Sequence, residues 1–383
     1  MKLLALIISL LGMSGCVKNA AEANDTAVVV MSEPVDSTLH LRLLFAGDLM
    51  QHDAQIKAAK TADGTYNYDS YFHYVKPEIK RAHVAIANLE VTMGGKPYKG
   101  YPCFSAPDEY LSAIKDAGFD LLFTSNNHCC DTGKKGLKRT IEMCDSLGIP
   151  HIGTYMNQEE RDSQYPYLLQ KNGFRIVLLN YTYGTNGLPV PEPFVVNKLD
   201  TVQMKLDIEK AKAMNPDMII AVPHWGIEYE LTPRKSMVKM AEWMIAQGVD
   251  HVIGGHPHVV QPIEYKVDSL TGKQHLIAYS LGNMVSDQAS FPRYGGMMVA
   301  LQLRKAGPNS PAEIADCGYT LHFVSRPEWN RKNKHIIYPV NAPDSLLNAT
   351  EKNRRDEFVK TARDLFTKHN IGIEEYKYQY ANY

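Results

Sequence analysis

Runs of apolar positions along the chain predict a series of short buried strands, each followed by a polar, chemically active tail. Leu41 to Ala46 is apolar except at Arg42 and leads into Gly47-Asp48. His83 to Ala87 leads into Asn88-Leu89-Glu90, and Phe119 to Thr124 into Ser125-Asn126-Asn127-His128. Met218 to Val222 ends in Pro223-His224-Trp225-Gly226, and Val249 to Ile253 in Gly254-Gly255-His256-Pro257-His258. Phe174 to Tyr181 is a further strand, followed by a Gly/Pro loop from Gly184 to Pro193. Helical spacing appears from about Ala54, over Asp108 to Ala117, and at Leu137, Ile141, Cys144 and Leu147, with Asp131 as a cap and Gly148 as the stop. It returns over Leu199 to Met214, and at Met237, Met240, Ala241, Met244 and Ile245, a methionine-rich core face. Tyr66 to Tyr74 reads as a loop. Pro262 to Val267 and His275 to Tyr279 predict a hairpin closed around Thr271-Gly272, and Met297 to Leu303 another strand. Beyond Arg304 short strands are expected around Phe323 and Ile336. A charged helix over Glu351 to Lys368 then packs Phe358, Ala362 and Phe366 on the main body.

The alternation of strands and helices predicts an α/β fold. Its length of 383 residues allows one large core or two modest ones. A formal net charge of −1 gives no electrostatic case for a nucleic-acid partner, and none is expected.

The first residues stand apart. Lys2 precedes the apolar run Leu3 to Leu11, and Met13-Ser14-Gly15-Cys16 follows. A run this short reads as a signal peptide, not a membrane span. Small residues before a cysteine resemble a bacterial lipoprotein signal. Residues 1–16 are therefore read as a signal ending at a lipidated Cys16, and 17–40 as a tether. The expected location is the extracytoplasmic side of a bacterial envelope, with the membrane as a partner through the lipid. Five cysteines remain, which makes no disulfide framework. Cys129 and Cys130, whose side chains should diverge, are expected as small buried residues starting a helix rather than metal ligands.

Asp48, Glu90, Asn127, His128, His224, His256 and His258 all fall at the carboxyl ends of apolar strands, where ligands gather in α/β sheets. On extended chain, His256 and His258 would point to one side with Cα atoms roughly 6–7 Å apart. That spacing suits two ions about 3.5–4 Å apart, each taking one ring. The glycines before them permit close backbone approach. Glu228 is expected to face the pocket. Asn283 either reaches it or serves a Gly-Asn turn, and Tyr229 is either a substrate-binding hydroxyl facing the pocket or a loop residue. Nitrogen and oxygen donors without thiolate suit manganese, iron or zinc.

Six motifs occur in order: Gly47-Asp48; Asn88-Leu89-Glu90; Asn126-Asn127-His128 with Asp131, Gly133 and Gly136; His224-Trp225-Gly226-Ile227-Glu228-Tyr229; Gly254 to His258; and Tyr279-Ser280-Leu281-Gly282-Asn283. From about Leu41 to Ser286 the chain resembles the CapA family, linked to poly-γ-glutamate capsule synthesis and related to the calcineurin-like metallophosphoesterases. The resemblance implies a β-sandwich flanked by helices, in four layers (αββα), over residues 41–304. Residues 305–383 form a C-terminal extension. It implies two divalent metal ions: Asp48 and His258 for one, Asn127, His224 and His256 for the other, with Glu90 bridging. His128 would donate a proton to the leaving group. The wider superfamily places a histidine two residues after the first aspartate, where this chain has Met50. It ends its second motif in aspartate, where this chain has Glu90. The ion at Asp48 and His258 is thus expected to be weakly held or absent; His52 could substitute for the missing histidine but reads rather as a surface residue.

The expected function is a lipid-anchored, metal-dependent hydrolase of phosphoesterase type, with cell-surface polymer or capsule-synthesis proteins as partners. The alternatives are a polymer-binding or export subunit with a partial metal site, and a γ-glutamyl amide hydrolase using the same activated water. No Lys/Arg cluster within the motifs announces a polyanion groove.

Overall fold

The computed structural model describes residues 38–378. Cys16 and the signal segment 1–16 lie outside the described residues, as does the tether up to residue 37. The first strand, Leu39–Leu49, begins two residues before the expected start.

Two mixed sheets carry the fold. In the larger, among the described residues, the order is Ile336–Pro339, Glu313–Ser325, Gly295–Lys305, Leu39–Leu49, Val84–Leu89, Leu121–Phe123 and His151–Ile152. Asn283–Val285 adds a parallel pairing to the end of Leu39–Leu49, with Asp48 opposite Asn283. The smaller sheet runs Ile263–Val267, Gln274–Ala278, His251–Ile253, Met218–His224, Phe174–Thr182 and Tyr167–Lys171. Each sheet has a parallel centre: Leu39–Leu49 through His151–Ile152 in one, and Phe174–Thr182 through Gln274–Ala278 in the other.

Side-chain alternation on Leu39–Leu49 shows how the layers stack. Leu41, Leu43 and Phe45 join a cluster with Ile176, Leu178, Val222 and Ile253 of the second sheet. Leu44 and Ala46 point the other way, to Ile79, Tyr110, Leu111, Ile114 and Cys144 of the helices Lys76–Arg81, Asp108–Ala117 and Gly133–Ser146. The second sheet is also covered on both faces, since consecutive residues Ile176 to Leu179 are all buried. The helices Thr201–Ala213 and Lys235–Gln247 supply Met204, Ile208, Ala211, Met237, Ala241 and Met244 to that core. The result is helix–sheet–sheet–helix. Strands buried on both faces read as continuous apolar runs.

Three local expectations fail. Tyr66 to Tyr74 is not a loop throughout: Asp69–Phe72 is a short helix, and Tyr68 and Tyr71 are fully buried against Tyr110. Asp131 does not cap the following helix. That helix starts at Gly133 after Thr132, and the Asp131 carboxylate is turned to His128 and to the Phe104 amide. Cys129 and Cys130 are buried, but in a turn rather than a helix, and their sulfurs lie 3.8 Å apart instead of diverging.

Candidate metal centre

The parallel strands of both sheets end at the same place, and that end carries the polar residues. Asp48 closes Leu39–Leu49, Asn88 and Glu90 close Val84–Leu89, and His224 closes Met218–His224. The loop after His251–Ile253 brings in His256 and His258. The backbone must come close here. A Cβ on Gly47 would lie 1.9 Å from the Gly282 carbonyl oxygen, and one on Gly255 would lie 3.1 Å from Asp48 Oδ1. Larger residues at either position would push these loops apart.

Ligand atoms of Asp48, Glu90 and His258 lie within 4.8 Å of one another, and so do those of Glu90, His224 and His256. Glu90 belongs to both groups. Its Oε1 is 3.4 Å from His224 Nε2 and 3.7 Å from His258 Nε2. A third group joins Glu228 to His256 and His258, so Glu228 reaches the centre as a carboxylate donor. Asn127 also arrives, its Oδ1 2.7 Å from His224 Nε2. Asn283 is buried but keeps to the loops, its Nδ2 donating to Arg293 O (2.9 Å), Gln288 Oε1 (3.0 Å) and His258 O (3.3 Å).

The backbone at the two histidines is not extended. His256 has φ +98° and His258 φ +58°, and their ring centroids are 5.9 Å apart. The two rings are therefore placed by a tight turn and not by strand alternation. Met50 gives the centre no ligand: it is buried in the helix-side core with Tyr110 and Phe104. His52 is not a surface residue either. It is half-buried at a helix start, with Nδ1 3.1 Å from Gln55 Oε1 and its ring edge-on to Phe104.

Charge decides what this pocket holds. Two carboxylates, Asp48 and Glu90, are completely buried here. Burial pushes Asp48 up, but the His258 hydrogen bond and the neighbouring His224 outweigh it, and its carboxyl sits at about 2. Glu90 goes the other way, well above the usual carboxylate range, through burial first and the Asp48 charge second. The two buried charges oppose each other, and Glu90 is the one pushed toward its neutral form. Burial lowers His224 to about 4 and takes His256 well below its ordinary value, so both rings are neutral with lone pairs available. Burial also acts to lower His258, but Glu90 and Asp48 beside it prevail and raise it. Glu90 Oε1 and His256 Nδ1 have no hydrogen-bond partner within the protein. Buried carboxylates and imidazoles with unused donor atoms are what a divalent cation needs, so the residues present fit one.

His128 stands beside this set. Its Nδ1 is 2.8 Å from Asp131 Oδ2, its amide donates to Asn126 Oδ1, and its ring meets Phe104 edge-on at 4.6 Å. Several residues were missed by sequence reasoning. Asn88 Nδ2 donates to Asp48 Oδ1 (2.8 Å) and Glu90 Oε2 (3.1 Å), holding both carboxylates in place. Asn126 fixes Asn88 in turn at 3.1 Å. Asn186, from the Gly/Pro loop, accepts from Asn127 Nδ2 (3.2 Å) and places its own Nδ2 3.5 Å from His128 Nε2. Tyr183 lies over His256 at 4.6 Å and Tyr229 lies 6.2 Å from the His258 ring, both with exposed surface. The signal for Asn88 was present in Asn88-Leu89-Glu90; Asn186 and Tyr183 carried none.

Fold and site define an α/β sandwich protein with buried groups of candidate metal ligands at the carboxyl ends of its strands. The chain belongs to the family described as bacterial capsule synthesis protein PGA_cap, whose model matches residues 42–288. It is similar to the capsule biosynthesis protein CapA of Bacillus anthracis, 29% identical over 70% of this chain and 65% of that one. It is similar also to the PGA biosynthesis protein CapA of Bacillus subtilis, 28% identical over 69% and 68%. The chain thus spans about two thirds of the length of these relatives. Among solved structures it is similar to the calcineurin-like phosphoesterase YfkN of Bacillus subtilis, with 14% identity, a TM-score of 0.42, and 86% and 99% of the two chains covered. A 5'-nucleotidase from Candida albicans gives 13% identity and a TM-score of 0.42 over 85% and 58%.

Proposed function

We propose that this chain is a metal-dependent hydrolase of phosphoesterase type that works on a cell-surface polymer or its precursor, held at the bacterial envelope by a lipidated Cys16. The observation that carries the reading is Glu90: a fully buried carboxylate shared by two donor groups, with one oxygen that makes no hydrogen bond. Two donor groups meeting at one carboxylate support two ions. Asp48 and His258 would hold one, and His224, His256 and Asn127 the other, with Glu228 as an additional donor. The nitrogen and oxygen donors suit manganese, iron or zinc. When bound, such cations supply Lewis acidity to a phosphoryl oxygen and to an attacking water.

The chain's own residues do the rest. Asp131 accepts from His128 Nδ1, which fixes the ring and leaves Nε2 to pass a proton to the departing oxygen. Asn186 touches both Asn127 and His128, so the Gly/Pro loop keeps a donor and the proton carrier in register. Asn88 holds Asp48 and Glu90 together against their mutual repulsion. Tyr183 and Tyr229 place exposed aromatic surface beside His256 and His258.

The test is turnover by the purified full-length protein, supplied with manganese, iron or zinc, on nitrophenyl phosphate, bis(nitrophenyl) phosphate and γ-glutamyl nitroanilide. Phosphoester cleavage is expected, abolished by His224→Ala. Cleavage of the anilide alone makes it an amide hydrolase. The burial of Met50 favours one further reading, a polymer-binding or export subunit with a reduced metal site. No turnover with any metal would select it.

A further inference from the structure

Backbone strain points to a part of this site outside the metal donors. Seven non-glycine residues among the described residues have positive φ. Asn172, Asn215 and Asn333 are asparagines remote from the centre, a residue type that tolerates this conformation. The other four, Asn186, Tyr229, His256 and His258, all lie at the centre. The histidines offer donor atoms and Asn186 contacts His128, which gives their strain a purpose. Tyr229, at φ +71°, is a bulky residue in a region that such residues avoid. Its backbone amide donates to Pro257 O at 2.8 Å, so the strained turn is pinned to the loop between the two histidines.

The strain holds the Tyr229 ring beside His258 and under a cation. Arg293 Cζ lies 4.1 Å from the Tyr229 ring centroid. Arg293 is half-buried, and it forms no ion pair among the described residues. Other arginines of the same end are paired: Arg234 with Glu230, and Arg326 with Asp287. Glu228, the carboxylate adjacent in sequence to Tyr229, shares a donor group with His256 and His258 and also meets the Tyr229 phenol, but forms no ion pair with Arg293 among the described residues. The position of Arg293 is tied to the metal loop, because Asn283 Nδ2 donates both to Arg293 O (2.9 Å) and to His258 O (3.3 Å). The guanidinium also hydrogen-bonds the Tyr229 side chain, and with no ion pair its remaining N–H donors are available to a carboxylate or phosphate.

We propose that Arg293, held on Tyr229, binds an anionic group of the substrate next to the bond presented to the metal centre. The substrate class is then a multiply charged chain or its ester, with phosphate or carboxylate groups beside the reacting one, rather than a neutral molecule. This rests on the hydrolase reading for the word substrate, but the subsite itself is a binding claim and is tested as one.

Full-length protein loaded with manganese is titrated calorimetrically with inorganic phosphate and, separately, with a γ-linked glutamate pentamer. Parent, Arg293→Gln and Arg293→Lys are compared, and the bound manganese of each is measured. Parent binding to at least one anion is expected. Arg293→Gln should weaken it roughly tenfold or more, the worth of a charge-assisted hydrogen bond. Arg293→Lys should fall between, since it keeps the charge and loses the fork. Bound manganese should be the same in all three. Weakening confined to phosphate or to the pentamer says which anion the subsite takes. Equal binding by parent and Arg293→Gln overturns the proposal, as does a parent that binds neither anion. A fall in bound manganese in Arg293→Gln overturns it too, because the residue would then act through the metal loop. Arg293-dependent binding in a protein that cleaves nothing leaves the subsite standing and refutes the hydrolase reading alone.

Discussion

Glu90→Gln separates the metal-free and metal-bound states of the centre by sign. In the metal-free protein Glu90 is fully buried, and its Oε1 has no hydrogen-bond partner. Its pKa lies well above the ordinary 4.5 because of burial and then Asp48. A group raised in the folded state stabilises the fold below its unfolded value, and that contribution is lost as pH rises through the folded value. The metal-free parent therefore loses stability as pH climbs from 4.5 through the raised folded value. Glutamine has the shape of the protonated acid and cannot ionise. Metal-free Glu90→Gln should be at least as stable as the parent at pH 7, and its stability should vary less with pH. Added metal reverses the order. A ligand at a hundred times its Kd stabilises the native state by about 2.7 kcal/mol. Unfolding the described residues 38–378 carries an entropy of about 0.7 kcal/mol per degree, so the parent's Tm should rise by about 4 °C. The variant, lacking the shared carboxylate, should gain under about 1 °C at the same concentration. Scanning calorimetry with and without manganese or zinc measures both effects. The same metal-induced rise in parent and variant, or a metal-free variant several degrees below the parent, would refute the assignment of Glu90 as a shared ligand.

Further outcomes follow from the same structure. His128→Ala should keep bound metal yet lose about 10²–10⁴-fold in rate on esters with poor leaving groups and much less on nitrophenyl esters. His224→Ala should fail on both; equal rates for His128→Ala and parent on both esters would remove His128 as the acid. Asp287 accepts from Arg326 Nε and His335 Nε2, each at 2.7 Å, and these partners overcome burial to hold its carboxyl at about 2. Its contribution to stability is thus present above the ordinary 3.8 and lost as pH falls toward 2. Asp287→Asn should cost about 1–3 kcal/mol at pH 7 and much less near pH 2.5, read by urea denaturation; a gap independent of pH would contradict this. Cys16→Ser should leave the protein without incorporated palmitate and either released from membranes or with its signal uncleaved; a labelled variant would exclude the lipid anchor.

The sheets were legible because both of their faces are covered. Strands such as Met218–His224 and Leu39–Leu49 are buried at nearly every position and appear as unbroken apolar runs. The half-exposed edge strand Tyr167–Lys171 and the short Asn283–Val285 gave no such run. Glu313–Ser325 was seen only around Phe323, since its first residues are polar and partly exposed. Tyrosines misled in the segment 66–74, where composition suggested a loop. Tyr68 and Tyr71 are instead core residues, a fate set by packing against Tyr110 and invisible locally. The last helix could have been placed better. Asn348 and Glu351 form a capping box, with bonds of 3.0 and 2.9 Å, and that spacing is readable in sequence.

At the site, the sequence showed donor types and their shared place at strand ends, and the structure adds what aims them. Extended chain would put the His256 and His258 rings on one side, but both residues have positive φ. Side chains alternate with period two only within a strand, and these donors sit after the strand has ended. Asparagines were underweighted for a related reason. Asn88, Asn126 and Asn186 carry no charge and bind no ion by themselves, yet their amides hold the carboxylates, the second strand and His128 in register. Two buried carboxylates repel, and an amide N–H between them is the neutral way to keep them near each other until a cation arrives. The same logic explains why Arg293 was missed. Nothing near it in sequence marks an anion site; its meaning comes from Tyr229, sixty-odd residues away, whose strained backbone carries the ring to it. Donor sets can be read from a sequence when strand ends coincide, whereas the groups that orient donors or select the substrate come from loops that only the folded chain brings together.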